Sequence, residues 1–70
     1  MARLRVQEVA KEKGVSMGKL SRSADVSYRT IRLIYKDPYR DVALNTLEKL
    51  AKALGVSIAD LIEEEAEKDE

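Results

Sequence analysis

The sequence predicts an all-α fold, a compact bundle of five helices, with a short N-terminal strand as one option. Apolar residues recur at three- and four-residue spacing along most of the chain, as on helices that bury one face. A Gly/Asp–Val–Ser motif occurs three times, at 14–16, 25–27 and 55–57. Its first residue suits the positive φ that ends a helix, and its Ser suits the N-cap of the next. Short helices joined by tight corners therefore organise the 70 residues, which suffice for one domain.

The first six residues alternate between polar and apolar side chains. This alternation fits a strand slightly better than the first turn of a longer helix, and both interpretations remain open. Beyond it, apolar stripes and Ser caps divide the chain into five helices that share one core. The helices are expected near residues 7–13, 17–24, 28–36, 46–54 and 58–65, and the core at Val9, Leu20, Ile31, Ile34, Leu47, Leu50, Leu54 and Leu61.

The segment between the third and fourth helices contains the only proline, Pro38, which is expected to end the third helix. After it, Val42 and Leu44 stand at alternate positions, a pattern compatible with a second short strand paired with residues 3–6. Asn45 then suits the N-cap of the fourth helix. A turn, a strand and a cap are therefore expected in this segment.

Composition excludes most catalytic chemistry. The chain has no Cys and no His, which rules out disulfides, the common soft metal ligands and nucleophilic Cys–His or Ser–His–Asp sites. No apolar run approaches the roughly 20 residues of a membrane span, and the N-terminus lacks a secretory signal. We therefore expect a cytoplasmic protein that is not an enzyme and has no metal site, cofactor or small-molecule ligand.

Charge is unevenly divided along the chain, although the formal net charge is zero. Residues 1–40 hold ten Lys or Arg and four acids, a net +6, whereas residues 41–70 hold three Lys and nine acids, a net −6. A basic half built from short helices is typical of a small nucleic-acid-binding domain. The acidic run from Glu63 is expected to be a frayed tail, with the folded domain ending at 64 and residues 65–70 beyond it.

Residues 16–36 carry the strongest functional signal. Two helices are predicted there with only about three residues between them, the length of a helix-turn-helix corner. In the second helix, Ile31, Ile34 and Tyr35 share the face that would pack on the core. The opposite face carries three cations and a leucine, with a tyrosine on its flank: Arg29, Arg32, Lys36, Leu33 and Tyr28.

This outward face has two interpretations. It is either a solvated face with one stray leucine, since exposed apolar residues are common, or a recognition helix in a DNA major groove. In such a groove Arg can bind guanine bidentately and an aliphatic group can contact the thymine methyl. The charge of the basic half favours the recognition helix.

The segment 16–36 resembles the helix-turn-helix of the phage lambda repressor and Cro family, also called the XRE-like family. Residues 47–57 and Asp60-Leu61 resemble the family's fourth helix and the start of its fifth, so the resemblance covers nearly the whole chain. Two separate motifs in the family's order make it specific. In the first motif it rests on apolar and small residues at the family's spacing: Leu20, Ser21, Ala24, Val26, Ser27, Ile31 and Ile34.

The resemblance implies a transcriptional regulator, expected to be a repressor, that binds double-stranded DNA as a homodimer. The dimer contact is expected in the fifth helix or the N-terminal segment. The alternative is a protein-interaction module on the same fold, such as an antitoxin. For DNA binding, base contacts are expected from Tyr28, Arg29, Arg32 and Leu33, and backbone contacts from Met17, Lys19, Ser27, Lys36, Tyr39 and Arg40. For Tyr39 and Arg40, which follow the third helix, ordinary loop surface is an equal alternative.

Departures from the family's pattern affect this site. Met17 stands where relatives carry a phosphate-binding Gln, and a thioether cannot donate to phosphate. Asp25 replaces the turn Gly, and Ser21 replaces an Ala at the contact between the two helices. Ala10 and Tyr35 occupy positions where many relatives pair an Arg with a Glu. Both partners are thus missing together, which leaves no unpaired charge behind.

Overall fold

The computed structural model describes residues 2–65, which form four α-helices, a 3-10 helix and a two-stranded sheet. None of the helices in this range is long and apolar enough to cross a membrane. In chain order the elements are β1 (Ala2–Leu4), α1 (Val6–Glu12), α2 (Met17–Ala24), α3 (Tyr28–Lys36), α4 (Leu44–Leu54), the 3-10 helix (Ile58–Leu61) and β2 (Ile62–Glu64).

One apolar core joins these elements. All eight core residues predicted from the sequence are buried. The centre of the core is drawn from five elements, because α2 packs against both α3 and α4, α1 packs against the same two helices, and the 3-10 helix packs against α4. Helix α3 thus rests on α1 and α2. The largest side chains that expose 1% or less are Val6, Leu20, Ile31, Ile34, Leu50 and Leu61.

The Gly/Asp–Val–Ser motif forms the predicted corner at all three places. A left-handed residue with φ between 58° and 72° follows each preceding helix. The Ser side chain then accepts the backbone N–H of the residue three positions later. At the third corner Asp60 also accepts the Ser57 N–H at 3.1 Å, which completes a capping box. The left-handed residues are Gly14, Asp25 and Gly55, and the caps are Ser16, Ser27 and Ser57.

The N-terminal strand is confirmed, and α1 begins one residue earlier than predicted. β1 pairs antiparallel with β2, with Arg3 opposite Glu63. The Arg3 guanidinium lies 2.9 Å from the Glu63 carboxylate and 3.2 Å from that of Glu8 in α1. Arg5 also pairs with Glu8, at 3.1 Å. These contacts join the two ends of the described chain to α1.

The predicted fifth helix over 58–65 is wrong, and with it the count of five helices. The described residues are mostly helical, as predicted, but they form four α-helices and a short two-stranded sheet. The chain makes a 3-10 turn and then extends as β2. A continued helix would place Asp60 near Glu63 and Glu64 at three- and four-residue spacing, where like charges repel. A helix this short also has little stability of its own with which to offset that repulsion. Pairing with β1 instead satisfies backbone groups of both strands.

The first residues of the acidic run, from Glu63, are therefore part of the folded domain and not of a frayed tail. Glu63 and Glu64 belong to β2, contrary to the prediction, and Glu65 follows the strand. Of the predicted tail, residues 66–70 lie outside the described residues.

The predicted second strand near Val42 and Leu44 is also wrong. The edge of β1 toward this loop makes a backbone bond to Pro38, whose carbonyl accepts the Leu4 N–H at 2.8 Å. Val42 packs half-buried on the core, and Leu44 is the first residue of α4 and remains 62% exposed. Helix α4 begins before Asn45, because the carbonyl of Ala43 already accepts the N–H groups of residues 46 and 47. Asn45 is therefore not the cap.

Candidate nucleic-acid interface

The corner between α2 and α3 is closed by three hydrogen bonds. The Ser21 carbonyl accepts the N–H of Asp25 and, at 3.2 Å, that of Val26. The Ser21 hydroxyl donates to the Val26 carbonyl at 2.6 Å. In the sequence Ser21 is a small replacement for the Ala of relatives, and this hydrogen bond was not predicted. The signal was a hydroxyl side chain in the last turn of α2, within reach of the corner.

Helix α3 presents the predicted faces. Ile31 and Ile34 are buried in the core, whereas Arg29 and Arg32 are exposed. Tyr35 packs half-buried at the edge of the core, where burial raises the pKa of its hydroxyl. Since the isoleucine pair and the Ser27 cap fix the rotation of the helix, the cationic face has to point away from the protein.

The outer face of α3 gathers its cations around a leucine. Arg29, Arg32, Leu33 and Lys36 line one shallow surface depression. Leu33 is half-buried there, and Tyr28 beside it is 47% exposed. The ion pairs between described residues join Arg3 and Arg5 to Glu8 and Arg3 to Glu63, and none of the three α3 cations pairs with a residue of the range 2–65. This face therefore offers unpaired donors around an apolar centre.

The residues expected to contact the DNA backbone differ in whether their side chains already make hydrogen bonds within the protein. Lys19, Lys36 and Arg40 are exposed. Ser27 is exposed too, but its hydroxyl donates to the Thr30 hydroxyl at 2.8 Å and accepts the Thr30 N–H at 3.1 Å. The Ser27 side chain is therefore engaged as the cap of α3.

Met17 is half-buried and packs on the core at the first turn of α2. It lines a second surface depression with Ala10 and Tyr35, the two positions at which the family's ion pair is missing. Gln7 and Lys11 of α1 also line that depression. Polar donors thus adjoin the first turn of α2 even though Met17 itself offers none.

Tyr39 is a predicted site residue whose side chain is bonded to a distant part of the chain. It is 45% exposed, and its hydroxyl donates to a Glu65 carboxylate oxygen at 2.9 Å. Its N–H donates to the Asp37 carboxylate at 3.2 Å. The hydrogen bond to Glu65 is the largest cause that raises the pKa of Tyr39. This contact was not predictable from the sequence, because the two residues are far apart in the chain and come together only through the sheet.

The described residues contain no cluster of three or more acidic, His or Cys side chains that could hold a metal ion. What the surface does offer is a helix-turn-helix with an exposed, cationic second helix. This arrangement defines a class, the helix-turn-helix DNA-binding domains.

A family model for the Cro/C1-type helix-turn-helix DNA-binding domain matches residues 5–67, and the chain belongs to this family. The resemblance found in the sequence is thereby confirmed. Among solved structures, the chain is similar to the N-terminal DNA-binding domain of the master biofilm regulator SinR from Bacillus subtilis. The two are 29% identical with a TM-score of 0.74, over 93% of this chain and 94% of that one. No curated protein sequence matches the chain. The fold and family are those of DNA-binding transcription regulators.

Proposed function

We propose that this protein is a sequence-specific transcriptional regulator that binds double-stranded DNA with α3 in the major groove. The observation that carries the proposal is the outer face of α3, where three cations that pair with no described residue surround a half-buried leucine opposite a buried isoleucine pair. A solvated face has no need of such an apolar centre. Arg side chains around a leucine suit guanine edges and thymine methyl groups.

Base contacts and backbone contacts come from different parts of this surface. Tyr28, Arg29, Arg32 and Leu33 are assigned to base edges because they share the outer face of α3 and its leading flank. The first-turn amides of α2 have no partner inside the helix, and the helix dipole favours a phosphate there. The backbone set comprises this amide end near Met17 together with Lys19, Ser27, Lys36, Tyr39 and Arg40.

Binding is proposed to be by a homodimer and the outcome to be repression, in the cytoplasm. One short helix contacts too few base pairs for useful specificity, so two copies would read two half-sites about 34 Å apart. The candidate contact surfaces are the N-terminal segment with β1 and the segment 58–64, which the sheet brings together. A bound dimer would repress by denying other proteins access to the same DNA.

Selection of bound sequences from random duplex DNA tests the proposal. The expected result is enrichment of a two-fold symmetric motif, with an affinity that falls steeply as salt rises because phosphate-bound counterions are released. If no duplex is bound with salt-dependent affinity, the outer face of α3 has to be a protein-binding surface, as in an antitoxin-type module on the same fold.

A further inference from the structure

The loop after α3 is attached to the sheet that ends in acidic residues. The Pro38 carbonyl accepts the Leu4 N–H at 2.8 Å, which joins the loop to β1. The next residue, Tyr39, donates its hydroxyl hydrogen to Glu65 at 2.9 Å, directly after β2. A residue assigned to DNA phosphate is thus already bound to a carboxylate of its own chain.

We propose that Glu65 is an internal competitor for DNA phosphate, which occupies the Tyr39 hydroxyl until DNA displaces it. The inference rests on the proposed function, since it concerns the regulation of the same interface. Carboxylate and phosphate oxygens are both anionic acceptors, and a phenol has a single hydrogen to donate. The Tyr39 hydroxyl can therefore serve Glu65 or a phosphate as donor, but not both at full strength.

The sheet keeps the competitor close to its target. β2 pairs with β1 through Glu64, and the Arg3–Glu63 ion pair holds the strand at the position just before. A carboxylate fixed one residue beyond a paired strand competes at a high effective concentration. Tyr39 is nevertheless 45% exposed, so an incoming phosphate can reach the ring from solvent.

The charge of Glu65 acts in the same direction as its hydrogen bond. A phosphate that approaches Tyr39 and Arg40 meets a carboxylate at the same hydroxyl, and the two anions repel. Removal of Glu65 should therefore strengthen DNA binding through two components, a general charge effect and an effect that depends on the Tyr39 hydroxyl. The second component separates competition from simple repulsion.

A double-mutant cycle isolates that component. Glu65→Ala is compared with Glu64→Ala, which removes the same charge one residue away. Each substitution is made twice, once with Tyr39 intact and once together with Tyr39→Phe. Affinity for the selected duplex and for a random duplex is measured by fluorescence anisotropy at fixed salt, and melting curves verify that each variant is folded. We expect Glu65→Ala to tighten binding about two- to five-fold on both duplexes, and Glu64→Ala to do less. In the Tyr39→Phe background the two Glu substitutions should change the DNA affinity by the same factor.

Three outcomes would overturn the inference while the wild type still binds DNA. Equal effects of the Glu65 and Glu64 variants would leave only general repulsion. An undiminished Glu65→Ala effect in Tyr39→Phe would show that the hydroxyl is not the target. Weaker binding by Glu65→Ala would mean that the contact positions Tyr39 for DNA. Absence of binding by the wild type and every variant would overturn the proposed function together with this inference.

Discussion

Arg29 and Lys36 share the exposed face of α3, yet they should contribute to DNA binding in different ways. Arg29 lies in the first turn of the helix and Lys36 at its last residue. A bidentate Arg at a base edge discriminates between sequences, whereas a Lys near the backbone acts as a point charge on phosphate. Arg29 should therefore determine sequence specificity, and Lys36 should determine the general affinity for DNA.

Arg29→Ala should cost about 1–3 kcal/mol on the selected duplex and little on random DNA. Lys36→Ala should weaken binding to both duplexes and lower the slope of log affinity against log salt by roughly one unit. Titrations at several salt concentrations measure both effects, with Lys49→Ala in α4 as the charge control outside the interface. Equal losses on both duplexes for Arg29→Ala would remove Arg29 from the base-reading set.

The Arg3–Glu8–Arg5 cluster makes stability depend on pH. Hydrogen bonds from Arg3, and then from Arg5, lower the pKa of Glu8 below its usual 4.5. A depressed carboxyl pKa stabilises the fold above the pKa of the unfolded chain, and that stabilisation is lost as pH falls through the folded pKa. Glu8→Gln should therefore lower the melting temperature at pH 7, and its difference from the wild type should shrink below about pH 4.5.

Melting curves from pH 7 to pH 3 test this dependence. Glu48→Gln is the matched control, because Glu48 is exposed on α4 and makes no ion pair within residues 2–65. A Glu8→Gln difference that stays constant down to pH 3 would rule out the ionised carboxylate as its source.

At the scale of elements, the helices were predictable where a local signal fixed both ends. The three corners each combine a left-handed residue with a Ser cap, and α2 and α3 have the predicted bounds. Helix α4 lacks a side-chain cap, and its start was predicted two residues late. The segment after the 3-10 helix was wrong because its partner, β1, lies at the other end of the chain. Pairing between distant strands leaves little trace in local periodicity.

Two leucines of α4 provide an internal comparison of burial. Leu50 is fully buried at the centre of the core, whereas Leu44 is 62% exposed at the first turn. Leu50→Ala should destabilise the domain by roughly 2–5 kcal/mol, because it removes buried apolar contacts and leaves a cavity. Leu44→Ala should change the free energy of unfolding by less than about 0.5 kcal/mol. Urea unfolding measures both, and similar values for the two variants would contradict the arrangement of the core.

At the scale of the whole molecule, the exposed face of α3 was predictable from the sequence, whereas its contacts with DNA stay a prediction. The outer face of α3 follows from helical periodicity alone, and the structure gathers Arg29, Arg32, Leu33 and Lys36 around one depression. Two features of the site were missed, one from a local side-chain bond and one from a tertiary contact. They are the Ser21 hydroxyl at the corner and the Glu65 carboxylate on Tyr39.

The proposed dimer makes a prediction about assembly. On a duplex that carries both half-sites, sedimentation should show two copies bound, and on a duplex with one half-site the affinity should fall sharply. Two linked half-sites bind a dimer more tightly because the second contact is intramolecular. A single copy bound with full affinity to either duplex would contradict the dimer.

The central claim is that α3 and the first turn of α2 form the DNA-contacting surface. An amide NMR titration with the selected duplex tests it most directly, because every described residue except Pro38 reports separately. We predict that the largest shift changes fall at residues 16–19 and 27–40, with little change along the solvent-exposed face of α4. Shift changes centred on α4 or on the sheet, with residues 27–36 unaffected, would contradict the account.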